Sequence, residues 1–202
     1  MTISAQQVKE LREKTGSGLM ECKKALQEAN GNVDDAAIIL RKKGQATAEK
    51  KSGRSTTEGR VGSYIHTGGR VGVLIEVNCE TDFVANTDEF HELVRDLGMQ
   101  VAAAAPSAAR WVRREDVPKD ALDKERDILT SQAEASGKPA NVIKKIVEGR
   151  LSKFYSENVL LEQAFIKNPD QTVEELLKSR IAVLKENIQI RRFVRFERGE
   201  AL

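Results

Sequence analysis

The chain is short of aromatic rings. Its 202 residues include one tryptophan, two tyrosines and six phenylalanines, so any core has to rest on Val, Leu, Ile and Ala. Cysteine is nearly as scarce. Cys22 and Cys79 lie far apart and form no CxxC pair, which argues for reduced thiols rather than a disulfide framework. Two histidines, His66 and His91, with no cysteine pair beside them, make a poor start for a metal site. No apolar run approaches the ~18 residues of a membrane helix. The N-terminus has neither the basic nor the apolar region of a secretory signal. A soluble, cytoplasmic protein with no membrane partner is expected. Charge of either sign is not in excess: 33 basic residues face 31 acidic ones, a net charge of +2. Bulk attraction to a phosphate backbone is therefore not indicated, and no direct contact with nucleic acid is expected.

Catalytic signatures are missing too. There is no Walker A sequence and no GxGxxG after a strand; "GGRVG" at 68–72 lacks the Lys-Ser/Thr pair and opens no helix. Glu76, Glu80 and Asp82 read either as a carboxylate cluster or, at least as well, as a charged strand end and turn. No cofactor is expected, and the chain reads as a binding protein rather than an enzyme.

What is present is a sequence of clear periodicities. Residues 1–44 spell three short helices. Ser4 and Gln7 form a capping box, Val8 and Leu11 start an apolar stripe, and Thr15-Gly16 ends it. Cys22, Ala25, Leu26 and Ala29 mark a second helix. Asn32 caps a third with Val33, Ala36, Ala37 and Leu40, and Gly44 closes it. Residues 45–60 are nearly free of apolar groups and read as a linker or a fading helix tail. Strands are expected near 61–66 and 70–78 around Thr67-Gly68-Gly69. An amphipathic helix should run over 88–104, and two more over about 119–135 and up to 155. The stretch "NVLLEQAFIKNPDQ" reads as irregular. Thr172 with Glu175 then opens a last helix. "NIQIRRFVRFERGE" alternates as a strand, with Ile188, Ile190, Val194 and Phe196 on one side. Pairing it with the hairpin gives an α+β fold: a three-helix bundle (1–44), a linker (45–60), and a small antiparallel sheet of about three strands packed with helices (61–202).

One residue resists this pattern. Phe83 stands in "CETDFVAN", a polar stretch between the second strand and the helix from about Asp88. It either folds back onto the sheet or helix, or is exposed as a contact. Loops held by rigid elements commonly carry function, and exposed rings anchor interfaces. Leu19 and Met20 pose a similar question. Two adjacent large apolar residues at a helix start cannot both face a core.

"VKELREKTGSGLMECKKALQEANGNVDDA" resembles the N-terminal domain of the bacterial translation elongation factor Ts family, a three-helix bundle of the ubiquitin-associated type. "EVNCETDFVAN" is very similar to that family's most recognisable motif. "GRVGSYIHTGGRVGVLIEVNCETDFV", "SGKPANVIKKIVEGRLSKF" and "NIQIRRFVRFERGE" match further family stretches, so the resemblance covers nearly the whole chain. It implies a guanine-nucleotide exchange factor that binds elongation factor Tu, a GTPase, and promotes GDP release. By this carry-over Thr81, Asp82, Phe83 and Val84 form the loop that disturbs the GTPase's magnesium and phosphate site. Lys9, Arg12, Leu19 and Met20 match positions by which the N-terminal domain docks, and His66 matches a histidine near the interface. Longer family members resemble two stacked copies of the sheet-and-helix core. This chain has room for one, and short members are associated with homodimers, which makes 61–202 the dimerisation domain as well. The alternative is a ribosome- or RNA-associated module: "RWVRRE" and "RRFVRFER" interleave arginines with aromatics that can stack on bases.

Overall fold

The computed structural model describes residues 3–200. Among the described residues there are eight α-helices and five strands, and the chain divides into two compact units. One comprises Met1–Arg60, Val77–Leu93 and Glu175–Gln189; the other comprises Val61–Glu76, Val94–Glu174 and Ile190–Leu202.

The first unit opens with α1 (Ala5–Thr15), α2 (Leu19–Glu28) and α3 (Val33–Lys51). Each start and stop has a local cause. Ser4 and Gln7 close the expected capping box, and Gly16 ends α1 at φ 66° with its N–H bonded to the Arg12 carbonyl. Asn32 accepts from the N–H groups of Asp34 and Asp35. Val8, Leu11, Cys22, Ala25, Leu26 and Ala36 are buried together. Gln7 Nε2 adds a 2.8 Å bond to the Gly31 carbonyl.

Helix α3 does not stop at Gly44 as its sequence suggests. It runs through to Lys51, so only residues 52–57 separate it from the first strand. The cause is packing rather than a turn. A Cβ on Gly44 would stand 3.2 Å from Ala182 Cβ, so the glycine permits close approach to the last helix, α8 (Val173–Leu184). Ala48, one turn on, is buried, and Lys50 and Lys51 favour the helix C-terminus.

Strands β1 (Glu58–Ile65), β2 (Val71–Cys79) and β5 (Ile188–Glu197) form the expected antiparallel sheet in the order β1-β2-β5. Val73, Ile75 and Val77 point to its buried face, and Leu74 between them is exposed. The sequence "GRVG" occurs at 59–62 and again at 69–72, and its first glycine serves a different purpose in each. Gly59 adopts φ 142°, and a Cβ there would fall 2.3 Å from the Val77 carbonyl oxygen; Gly69, at φ 65°, belongs to the hairpin turn.

Two expectations for the remainder are corrected. First, Val194 and Phe196 do not share the face of Ile188 and Ile190. Arg191 and Arg192 are both exposed, after which Phe193 and Arg195 become the half-buried positions while Val194 and Phe196 are exposed. Two successive outward residues shift the alternation by one, as a bulge does. Second, the stretch expected to be irregular contains a further pair of antiparallel strands, β3 (Ala164–Phe165) and β4 (Asn168–Thr172). Two buried glutamines organise its start. Gln163 Nε2 donates to the Ser107 and Glu157 carbonyls, and Gln100 bonds Gln163, the Ala164 carbonyl and the Ile166 N–H. Side-chain bonds of this kind leave no hydrophobic alternation to read.

Between β2 and β3 lie a four-residue helix α4 (Asp82–Ala85), then α5 (Asp88–Ala103), α6 (Lys119–Glu134) and α7 (Ala140–Asn158). The last two pair through Leu129, Ala133, Val147 and Leu151. No helix among the described residues is long and apolar enough to cross a membrane.

Candidate functional site

The stretch around Phe83 is built from its ends inward. β2 ends at Cys79, which is fully buried and donates its Sγ–H to the Thr81 carbonyl at 3.1 Å. Burial, with the nearby Glu186 charge next, pushes that thiol up to about 11. Cys79 is therefore a packing residue rather than a nucleophile. Thr81 caps α4 by accepting the Val84 N–H. At the other end Asn86 Nδ2 bonds the Asp82 carbonyl at 2.8 Å. Thr87 Oγ1 donates to the Val84 carbonyl at 2.8 Å and accepts the Phe90 N–H at the start of α5. The expected polar loop is thus one turn of helix, capped at both ends by side chains.

Phe83 stands on that turn with 83% of its surface exposed. Ala85 supplies the buried side of the turn instead, and Asp82 is exposed. Of the two alternatives left open by the sequence, the ring takes the outward one.

The turn is held from below by Glu186, just beyond α8. Its Oε1 accepts the Thr81 hydroxyl at 2.6 Å, and its Oε2 accepts the backbone N–H groups of Glu80 and Thr81 at 3.1 and 3.0 Å. Glu80 reciprocates by accepting the Asn187 N–H at 2.7 Å. That bond, with the Arg54 guanidinium beside it, holds the Glu80 carboxyl below the usual carboxylate range. Sequence reading missed Glu186 entirely. Its partners lie more than a hundred residues away, and a polar residue after a helix carries no signal of its own.

Leu19 and Met20 open α2, and neither packs inward: they are 58% and 61% exposed. Lys9 and Arg12 lie one turn apart on the exposed side of α1, Lys9 within 3.9 Å of Glu13. These four and the Thr81–Val84 turn belong to the first unit. His66 belongs to the second. It is exposed, with Nδ1 3.2 Å from the Tyr64 hydroxyl.

The arginine-aromatic segments look different once folded. Arg192 Nε bonds Glu76 Oε2 at 2.7 Å, Arg195 lies 2.5 Å from Glu197, and Arg114 pairs with Glu162 while covering the Tyr155 ring at 4.4 Å. Arg113 donates to the Ile190 carbonyl. Most of these cations are already engaged within the chain. Among the described residues no group of three or more His, Cys, Asp or Glu is arranged to hold a metal ion.

Comparison with known proteins identifies the family. A sequence profile described as "Elongation factor TS" matches residues 4–200. The chain belongs to the elongation factor Ts family. Elongation factor Ts from Carboxydothermus hydrogenoformans is 62% identical over 200 residues, covering 99% of this chain and 91% of that protein. Elongation factor Ts from Thermoanaerobacter sp. (strain X514) is also 62% identical, over 97% of its length. The Geobacter sulfurreducens member is 54% identical over 202 residues, covering 100% of this chain and 92% of its own. Membership of the elongation factor Ts family gives the chain a role in translation elongation.

Proposed function

We propose that the chain is a guanine-nucleotide exchange factor that binds elongation factor Tu and promotes GDP release without covalent chemistry. The observation that carries this reading is Phe83, an exposed ring on a capped turn. A tightly held nucleotide leaves slowly. A partner that binds the open, magnesium-poor GTPase better than the closed one shifts the population toward release, and nucleotide must weaken that partner's binding by the same factor. An apolar ring suits a wedge, because it displaces side chains while offering the metal no ligand. Asp82 and Val84 flank it, and Thr81 anchors it. Leu19 and Met20, with Lys9 and Arg12, dock the bundle on the GTPase, and His66 contributes from its strand end. The work takes place in the cytoplasm with the translation machinery.

We propose further that a second copy of the chain binds the outer face of the sheet to form a homodimer. Val61, Ile65, Leu74, Val194 and Phe196 are all exposed there. A Cβ on Gly72 would lie 3.1 Å from Ile65 Cδ1, which places Ile65 on the side of Leu74. The face's ion pair, Arg192–Glu76, is neutral as a pair. An apolar face of this kind suits an identical face, and such faces stack about 10 Å apart.

The test is nucleotide exchange. Elongation factor Tu loaded with fluorescent GDP should lose it faster when this protein is added. Phe83→Ala should lower the maximal release rate more than it weakens docking. An unchanged release rate with the unmodified protein would refute the reading.

A further inference from the structure

Resting on the exchange reading above, we propose that Glu186 is a positioning residue for Phe83, and that residues 185–187 set the distance between the Phe83 turn and the docking helix α2. Three consecutive side chains after α8 reach three different places in the same unit. Lys185 Nζ lies 2.7 Å from Glu21 Oε1, one residue beyond Met20 on α2. Glu186 takes three hydrogen bonds from the Thr81 turn. Asn187 is buried; its Nδ2 donates to the Arg54 carbonyl at 2.7 Å and its N–H to Glu80.

The bonds to Glu186 are charge-assisted and converge on one carboxylate. They fix both the Thr81 hydroxyl that caps α4 and the backbone entering it. The direction of the Phe83 ring is thereby tied to α8. Helix α8 in turn meets the bundle at Ala182 against Gly44, at Val183 near Gly16, and through the Arg41–Glu175 pair at 3.0 Å. Lys185 itself adopts φ 60°, the left-handed conformation in which helices commonly end, with its N–H on the Ile181 carbonyl at 3.0 Å. None of these residues needs to touch the GTPase. They act through Phe83 and α2.

Replacing the carboxylate by an amide, Glu186→Gln, removes one acceptor: with the amide oxygen kept on the two backbone N–H groups, the NH2 faces the Thr81 hydroxyl, whose proton loses its acceptor. The release rate of labelled GDP from elongation factor Tu is measured against the concentration of factor. The expected result is a maximal rate reduced on the order of tenfold, as misplacement of a contacting group produces, with the half-saturating concentration within about twofold of the unmodified protein. Thr81→Val deletes the other end of the same bond and should reproduce the loss, and the double variant should be no slower than the worse single one. If Glu186→Gln does not fold, as judged by its melting transition, Thr81→Val alone decides the matter. A maximal rate equal to that of the unmodified protein, or a loss confined to the half-saturating concentration, would overturn the inference. Failure of the unmodified protein to accelerate release would instead overturn the exchange reading, so the two failures are distinguishable.

Discussion

Arg192 Nε donates to Glu76 Oε2 at 2.7 Å, joining β5 to β2 on the face that carries Leu74. The pair is possible because the alternation of β5 slips at Arg191 and Arg192. The same slip turns Val194 and Phe196 outward. They extend the exposed apolar patch that Val61, Ile65 and Leu74 begin.

Leu74→Glu tests whether that patch holds a second copy. The residue is exposed, so the fold should be retained. In a self-facing sheet each copy would bring a new carboxylate toward its partner. The dissociation constant measured by sedimentation should rise about 100-fold, roughly 3 kcal/mol. A protein that sediments as a monomer before the substitution would refute the dimer.

Leu19→Ser combined with Met20→Ser separates docking from exchange. Both side chains are largely exposed, so stability should change by no more than about 0.5 kcal/mol for each. The half-saturating concentration for GDP release should rise roughly tenfold while the maximal rate holds. This is the opposite pattern to Glu186→Gln, and a shared pattern would show that bundle and turn are not distinct in role.

Much of this arrangement was legible in the sequence, and the exceptions have definite causes. The bundle, the hairpin and α5 announce themselves because capping residues and apolar spacing agree. Gly44 misled because a glycine's sequence signature is the same whether it ends a helix or admits a neighbour, and Ala182 lies far along the chain. β3 and β4 were missed because their ordering comes from the side chains of Gln100 and Gln163. The slip in β5 was missed because strict alternation was assumed through two arginines. The Phe83 turn was found by its oddity and by resemblance. Glu186, which holds it, offered neither.

Two glycines give opposite expectations for stability. Gly59→Ala forces a side chain onto φ 142° and into the Val77 carbonyl. Strain and overpacking together should cost about 2–5 kcal/mol in urea denaturation. Gly149, inside α7, has open space around it. Gly149→Ala should stabilise by about 0.5–1 kcal/mol. Equal effects would contradict the close approach of β1 to β2.

Acid should loosen the same region. The Glu80 carboxyl lies below its ordinary value chiefly because of the Asn187 N–H. The folded state therefore holds its proton less readily than the unfolded chain. The associated stability is present above the unfolded value, about 4.3, and is lost as pH falls through the lowered folded value. Urea titrations of the unmodified protein should show stability declining across this window, and Glu80→Gln should decline less steeply. Parallel curves would remove Glu80 from the account.

The capped turn beneath Phe83 also bears on the energetics of association. A ring on a flexible loop must surrender its conformational entropy when it enters a partner, at roughly 1–2 kcal/mol for each residue whose backbone is frozen. Here Thr81, Asn86 and Thr87 have already fixed the backbone in the free protein. That ordering is completed during folding rather than at encounter. On the exchange reading proposed above, more of the ring's contact energy is then left for the partner.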